Sequence, residues 1–193
     1  MGDRTSLTVY PGMVGITENA FINIKNRSYT ITAPVELRDA KTNGVIIAQA
    51  GGFGGWTLFM KDGKAHHEYN FFGVESTKIA GSSALPAGKH VIKYEFVSDS
   101  PKPGAGGKSL LYVDDKKVAE AHIPKTQPFV FSADEGVDVG LDGESPVSKD
   151  YRQGDNHFTG RIVSVTVDVA PSQISADDKR AEAETKEAAA RSK

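Results

Sequence analysis

The chain has 193 residues, 38% of them hydrophobic and 25% charged, with a formal net charge of -2. That is enough apolar material for one well-filled core, and the charge balance offers no basic stripe for nucleic acid. Cysteine is absent, which removes disulfides, thiol catalysis and Cys-ligated zinc and leaves the redox compartment open.

No apolar run approaches the ~20 residues of a membrane-spanning helix. The opening MGDRTSLTVY has no apolar signal-peptide core. The expectation is a soluble chain, cytoplasmic or periplasmic, with no membrane or nucleic-acid partner and with Met1 a start near the edge of a domain. Leu7–Tyr10 reads as an edge strand closed by Pro11-Gly12, and Asn19–Asn26 as a loop. Ser28–Ala33 alternates polar and apolar, and Val35–Leu37 continues it past Pro34, which suits an edge or a bulge.

Gly44–Gln49 is nearly continuous in apolar residues, as expected of a strand buried on both faces. Four glycines then bracket Phe53 in a turn that demands positive φ. Trp56–Lys61 places Trp56, Leu58 and Met60 on one strand face. Asp62-Gly63 predicts a two-residue type I′ hairpin, and the return strand runs over Ala65–Phe72. Val74–Ala80 is a short strand. In His90–Ser98, Ile92, Tyr94 and Phe96 form the face to bury, opposite Val91, Lys93, Glu95 and Val97.

Leu110–Val113 and Val118–Ile123 form a hairpin across Asp114-Asp115, a turn expected to be weaker or longer because Asp tolerates left-handed geometry less well than glycine. Ser132–Tyr151 reads as an acidic surface loop. Val163, Val165, Val167 and Val169 share a face of the closing strand. Residues 1–170 are therefore read as one antiparallel β-sandwich domain. Residues 171–193, rich in Ala, Glu and Lys with almost no apolar stripe, are read as a helical or disordered tail.

Candidate chemistry is sparse. Gly107-Lys108-Ser109 resembles a fragment of a phosphate-binding loop, but Lys102 stands where the upstream glycine belongs and a strand follows instead of a helix. His66 and His67 are neighbours on a strand and point to opposite faces, so they cannot chelate one ion together. Asp134, Asp138 and Asp142 are weak calcium candidates with a spacing that fits no calcium motif, and the alternative is a solvated acidic loop. Trp56, Tyr69, Asn70 and Phe71 are candidate ligand-binding residues, since aromatic faces stack on sugars; the alternative is burial in the core. A solvent-facing stripe favours the first and full burial removes it.

The ordered series Lys25–Asn26–Arg27–Ser28, Gln49, Gly52–Phe53–Gly54–Gly55–Trp56, Lys61–Asp62–Gly63–Lys64 and Tyr69–Asn70–Phe71–Phe72–Gly73 resembles the C-terminal β-sandwich domain of bacterial arylsulfatases. Leu85–Pro86–Ala87–Gly88–Lys89, Leu111–Tyr112–Val113, Lys116–Lys117–Val118–Ala119, Phe131–Ser132–Ala133–Asp134–Glu135 and Phe158–Thr159–Gly160 continue it in order, so that the likeness runs from about Tyr10 to Val169. The resemblance implies an all-β, two-sheet sandwich of concanavalin A-like or laminin G-like jelly-roll type. It also implies a non-catalytic accessory domain that packs against a sulfatase catalytic domain or subunit. The family's Cys/Ser-x-Pro-x-Arg nucleophile motif is missing here, so no sulfatase activity is expected of the chain alone. The alternative reading is a freestanding module that binds carbohydrate or sulfated glycans.

Overall fold

A computed structural model describes residues 4–173 and 175–191; Met1, with the expectation attached to it, lies outside the described residues. The architecture is all-β, two antiparallel sheets packed face to face, and among the described residues the one helix is at the C-terminal end. The first sheet holds β1 (Ser6–Val9), β12 (Val165–Val169), β2 (Tyr29–Leu37), β7 (Gly88–Ser98), β8 (Ala105–Val113) and β9 (Lys116–Lys125), in that spatial order. Its seventh strand, β11 (Arg161–Ile162), also pairs with β2. The second sheet runs β10 (Val137–Val139), β3 (Gly44–Gly51), β4 (Gly54–Lys61), β5 (Lys64–Phe71) and β6 (Glu75–Ala80).

The two sheets differ in what covers their outer sides, and the sequence patterns follow. Strand β2 alternates buried and half-buried residue by residue, and β7 sends Ile92, Tyr94 and Phe96 inward as predicted. In β3 and β4 nearly every residue is buried. There the inner face, with Ile47, Trp56, Leu58 and Met60, meets the first sheet. The outer face, with Val45, Ala48 and Phe59, packs under Val147 and Tyr151. The acidic segment is thus not simply a surface loop: part of it is β10, and its 142–151 stretch roofs the second sheet.

Three hairpins close through pairs of residues at positive φ: Asp62-Gly63 (51° and 70°), Phe72-Gly73 (52° and 70°) and Asp114-Asp115 (49° and 63°). The last is as short as the first, contrary to the expected lengthening. Asp114 is held there because its carboxylate accepts the Val91 N–H at 2.8 Å and faces the His90 ring at 2.7 Å. In the valine series, Val165, Val167 and Val169 are buried, but Val163 is 47% exposed. Ile162 pairs with Val35 whereas Thr166 pairs with Thr32. The segment 163–165 therefore carries one residue more than the opposing Ala33–Pro34, a bulge beside the proline that cannot donate to a ladder.

Of the charged tail, residues 176–191 form α1 (Ala176–Arg191). Ser175 caps it: its Oγ accepts the Asp178 N–H at 3.1 Å, and Asp177 and Asp178 occupy the electropositive first turn.

Candidate functional site

The aromatic residues singled out in the sequence lie in the interior. Trp56 is fully buried between the sheets, and its Nε1–H donates to Gln49 Oε1 at 2.8 Å. Tyr69 is buried and its hydroxyl accepts the Gln127 N–H at 2.7 Å. Asn70, on the opposite face of β5, is a latch. Its Nδ2 donates to the carbonyls of Gly52 (3.1 Å) and Val147 (3.3 Å), and its Oδ1 accepts the Gly73 N–H at 2.8 Å. Phe71 is half-buried beneath Lys125, whose Nζ stands 4.6 Å from the ring centre. These four residues therefore offer no open stacking face, because a sandwich this size needs its large rings as filling.

His66 and His67 do point to opposite faces. His67 is inside, its ring 3.4 Å from that of Tyr94 and nearly parallel to it, with Trp56 beyond. Neither of its nitrogens has a hydrogen-bond partner among the described residues, and burial holds its pKa well below the ordinary imidazole value.

The acidic candidates act as clamps for backbone amides. Asp138 accepts the N–H groups of Gly15 (2.7 Å) and Gly143 (2.8 Å). Asp142 is buried and accepts the Val147 N–H at 2.9 Å and the Tyr151 hydroxyl at 2.6 Å. Burial raises its pKa to about 6 in spite of those two donors, with nearby Asp138 and Glu135 adding to the rise. Asp134 sits at the loop surface. Among the described residues no three His, Asp or Glu side chains are grouped to hold a metal ion. Glu68, also under the roof, accepts the hydroxyls of Ser76 and Ser148, both at 2.5 Å.

Among the described residues the outer side of the seven-stranded sheet carries no such roof, and its cross-strand registers assemble residues far apart in sequence. Thr8, Thr166, Thr32, Lys93, Tyr112 and Lys117 stand opposite one another on six successive strands. The Thr8 and Thr166 hydroxyls are 2.9 Å apart, and Lys93 Nζ lies 4.5 Å from the Tyr112 ring centre. Burial and the nearby Glu95 raise the Tyr112 pKa, so it presents a neutral hydroxyl.

One row away, Pro34 pairs with Val91, and the bulged Val163 donates its N–H to the Pro34 carbonyl at 2.9 Å. Beyond that, Arg161, Glu36 and Lys89 are aligned. These two rows line a groove of about 450 Å³, with Pro34, Val91 and Val163 as an apolar floor and Arg161, Glu36, Lys89 and the His90–Asp114 pair as a polar edge. At Asp114 desolvation pushes the carboxyl up, but the Val91 N–H and the His90 ring outweigh it and hold the pKa below the usual range. A groove of this size, apolar beneath and polar at its rim, suits a small ligand.

This face was missed in the sequence because its signal is the register of β12, β2, β7 and β8, which no single stretch contains. The alternation of β7 assigned Lys93 to the outward side and nothing more.

Comparison with known proteins supports the fold. No protein-family model matches the sequence, and no curated protein matches it. Among solved structures, the CBM40 domain of the Ruminococcus gnavus IT-sialidase, solved bound to α2,3-sialyllactose, superposes with a TM-score of 0.57 at 12% identity, covering 91% of this chain and 94% of that one. Domains LG4-5 of the mouse laminin α1 chain give a TM-score of 0.50 at 15% identity over 91% of this chain and 41% of that one. The leech intramolecular trans-sialidase gives 0.50 at 13% identity over 91% of this chain and 26% of its own length. This chain thus spans less than half of the laminin fragment and about a quarter of the leech enzyme. Identities this low establish the architecture alone: the chain folds as a laminin G-like β-sandwich.

Proposed function

We propose that the chain is a non-catalytic carbohydrate-binding module whose ligand lies on the outer face of the seven-stranded sheet. The observation that carries this reading is the juxtaposition on one unroofed face of Tyr112, flanked by Lys93 and Lys117, with a threonine row and the adjoining groove. A pyranose ring has an apolar C–H face and a polar edge. The Tyr112 ring and the Pro34–Val91–Val163 floor complement the first; the threonine hydroxyls, Arg161 and Glu36 complement the second. The sialyllactose-bound module has the same fold, so a sandwich of this kind is compatible with the role.

The test is a glycan array followed by calorimetry. Wild type is expected to bind a defined set of glycans, and Tyr112→Ala or Arg161→Ala to weaken that binding at least about 10-fold, the loss of ~1.4 kcal/mol. Both side chains are on the surface, so thermal stability should stay nearly unchanged. Full retention of binding by both variants would remove the site assignment.

A second reading is favoured by the ordered motif series from Tyr10 to Val169: an accessory domain of an arylsulfatase, packing on a catalytic domain or subunit that this chain does not contain. On either reading the chain alone has no sulfatase nucleophile. Incubated with nitrophenyl sulfate and calcium it is expected to release no nitrophenol above the no-enzyme control, and release above that control would contradict both.

A further inference from the structure

We infer that Arg27 and the serines around it form a binding site for a small oxyanion, at the opposite end of β2 from the glycan groove. In the series Lys25–Asn26–Arg27–Ser28, three of the four side chains are committed to the fold. Lys25 Nζ pairs with Glu18. Asn26, at φ 59°, donates to the Pro128 carbonyl at 2.7 Å and accepts the Gly104 N–H at 2.9 Å. Ser28 Oγ accepts the Ser98 N–H at 3.0 Å. Among the described residues the Arg27 guanidinium has neither a hydrogen bond nor an ion pair, although its Nε is buried.

A donor shut off from water has lost its hydration and gained nothing in return. Arg27 lines a cavity of about 200 Å³ where Ser28 leads into β2, Ser98 ends β7 and Ala170 follows β12. The walls are fixed. The Ala170 N–H donates to the Ser28 carbonyl at 2.9 Å, and Ser98 Oγ donates to the Ser100 carbonyl at 2.9 Å. Ser28 Oγ and Ser100 Oγ each accept a backbone N–H, from Ser98 and from Lys102. A hydroxyl that accepts still has its hydrogen to give, so both serines can donate into the cavity beside the guanidinium.

The lining chemistry selects the ligand. Among the described residues it holds one carboxylate, Asp99, which faces His122 Nε2 at 2.7 Å. A cation would meet the guanidinium head on, and an apolar group would leave its donors unpaired. What answers a planar, permanently charged fork with hydroxyls beside it is a group with two or more negatively charged oxygens. Phosphate, sulfate and carboxylate share that chemistry, free or carried on a larger molecule. The cavity shares no lining residue with the groove at Pro34, Val91 and Val163.

The test titrates the ¹⁵N-labelled full chain with sodium phosphate, sodium sulfate and sodium acetate, each against sodium chloride at equal ionic strength. The Arg27 Nε–H resonance and the amides of Ser28, Ser98 and Ser100 are expected to shift saturably with at least one of the three, and not with chloride. Response to phosphate or sulfate alone identifies a tetrahedral oxyanion and response to acetate alone a carboxylate; either supports the site. Calorimetry with the anion that binds should show affinity falling at least about 10-fold in Arg27→Gln, the scale of a lost charge-assisted hydrogen bond, with Tyr112→Ala unchanged. The guanidinium has no structural partner to lose, so Arg27→Gln should keep the wild-type thermal midpoint; if that variant misfolds, the wild-type titration still decides. No saturable shift with any of the three anions, or shifts centred away from Arg27, would overturn the inference. So would undiminished affinity in Arg27→Gln, or an equal loss in Tyr112→Ala. Failure of the glycan reading leaves this result unaffected.

Discussion

Trp56→Ala is expected to lower the unfolding free energy by about 3–5 kcal/mol, the range for emptying a core of a large aromatic side chain. The residue is fully buried, and its removal also strips Gln49 Oε1 of the indole N–H that satisfies it. For a chain of this length the midpoint of thermal unfolding should fall by roughly 10 °C or more. Urea unfolding followed by circular dichroism measures the change. A surface sugar platform at Trp56 would give a different outcome: a stability change within about 0.5 kcal/mol together with loss of ligand. A shift under 1 kcal/mol would contradict the placement of this ring between the sheets.

Stability should also depend on pH in a way set by His67 and Asp142. The folded imidazole of His67 is held well below the ordinary imidazole value of 6.5 by burial. Between the two values the unfolded chain binds the extra proton, so stability falls as pH drops below 6.5, by about 1.4 kcal/mol per pH unit. His66 is shifted in the same direction, with burial as the leading cause. Asp142 acts oppositely. Its folded value of about 6 lies above the ordinary aspartate value of 3.8, so from pH 6 down to 3.8 the folded state takes up the proton and gains stability. In wild type the two trends offset each other.

In Asp142→Asn the opposing trend is gone, and a loss approaching about 1.4 kcal/mol per pH unit should be exposed as pH falls below 6.5, where Asp142 had offset it. Adding His67→Phe should flatten most of that slope. Asp114 and Asp150, whose pKa values are lowered, contribute losses only as pH falls below 3.8, outside this window. Denaturant melts at half-unit pH intervals read the effect. A single Asp142→Asn variant with the same shallow profile as wild type would contradict the assignment of His67 as a neutral core residue.

How far the sequence could be read depends on the range of each signal. The inward set Ile92, Tyr94 and Phe96, the Asp62-Gly63 turn and the doubly buried Gly44–Gln49 run are local patterns, and each appears in the structure as expected. The C-terminal helix was legible as far as composition and its acidic first turn allow. What failed was long-range. Whether an aromatic on β5 faces a core or solvent depends on which strand lies across from it, so Tyr69 could not be assigned from its own neighbours. Asn70 gave no sign that it would join two turns and the roof. The Val163 bulge arises because β11 and β12 pair with one strand out of step across Pro34, and valine spacing cannot report that. Phe53 was legible as a turn residue, but Phe72 was assigned to a strand, and its positive φ runs against its own preference.

The central claim is that ligand meets the outer face of the seven-stranded sheet while the ring cluster of Trp56 and Tyr69 remains filling. Amide chemical-shift mapping of the ¹⁵N-labelled chain, titrated with a glycan chosen from the array, addresses it residue by residue. The largest perturbations are expected at Thr32, Val91, Lys93, Tyr112 and Val163, with the β4–β5 hairpin and the Phe53–Phe72 tips little changed. Perturbations centred on 53–56 and 69–74, with the β2–β7–β8 amides silent, would contradict it.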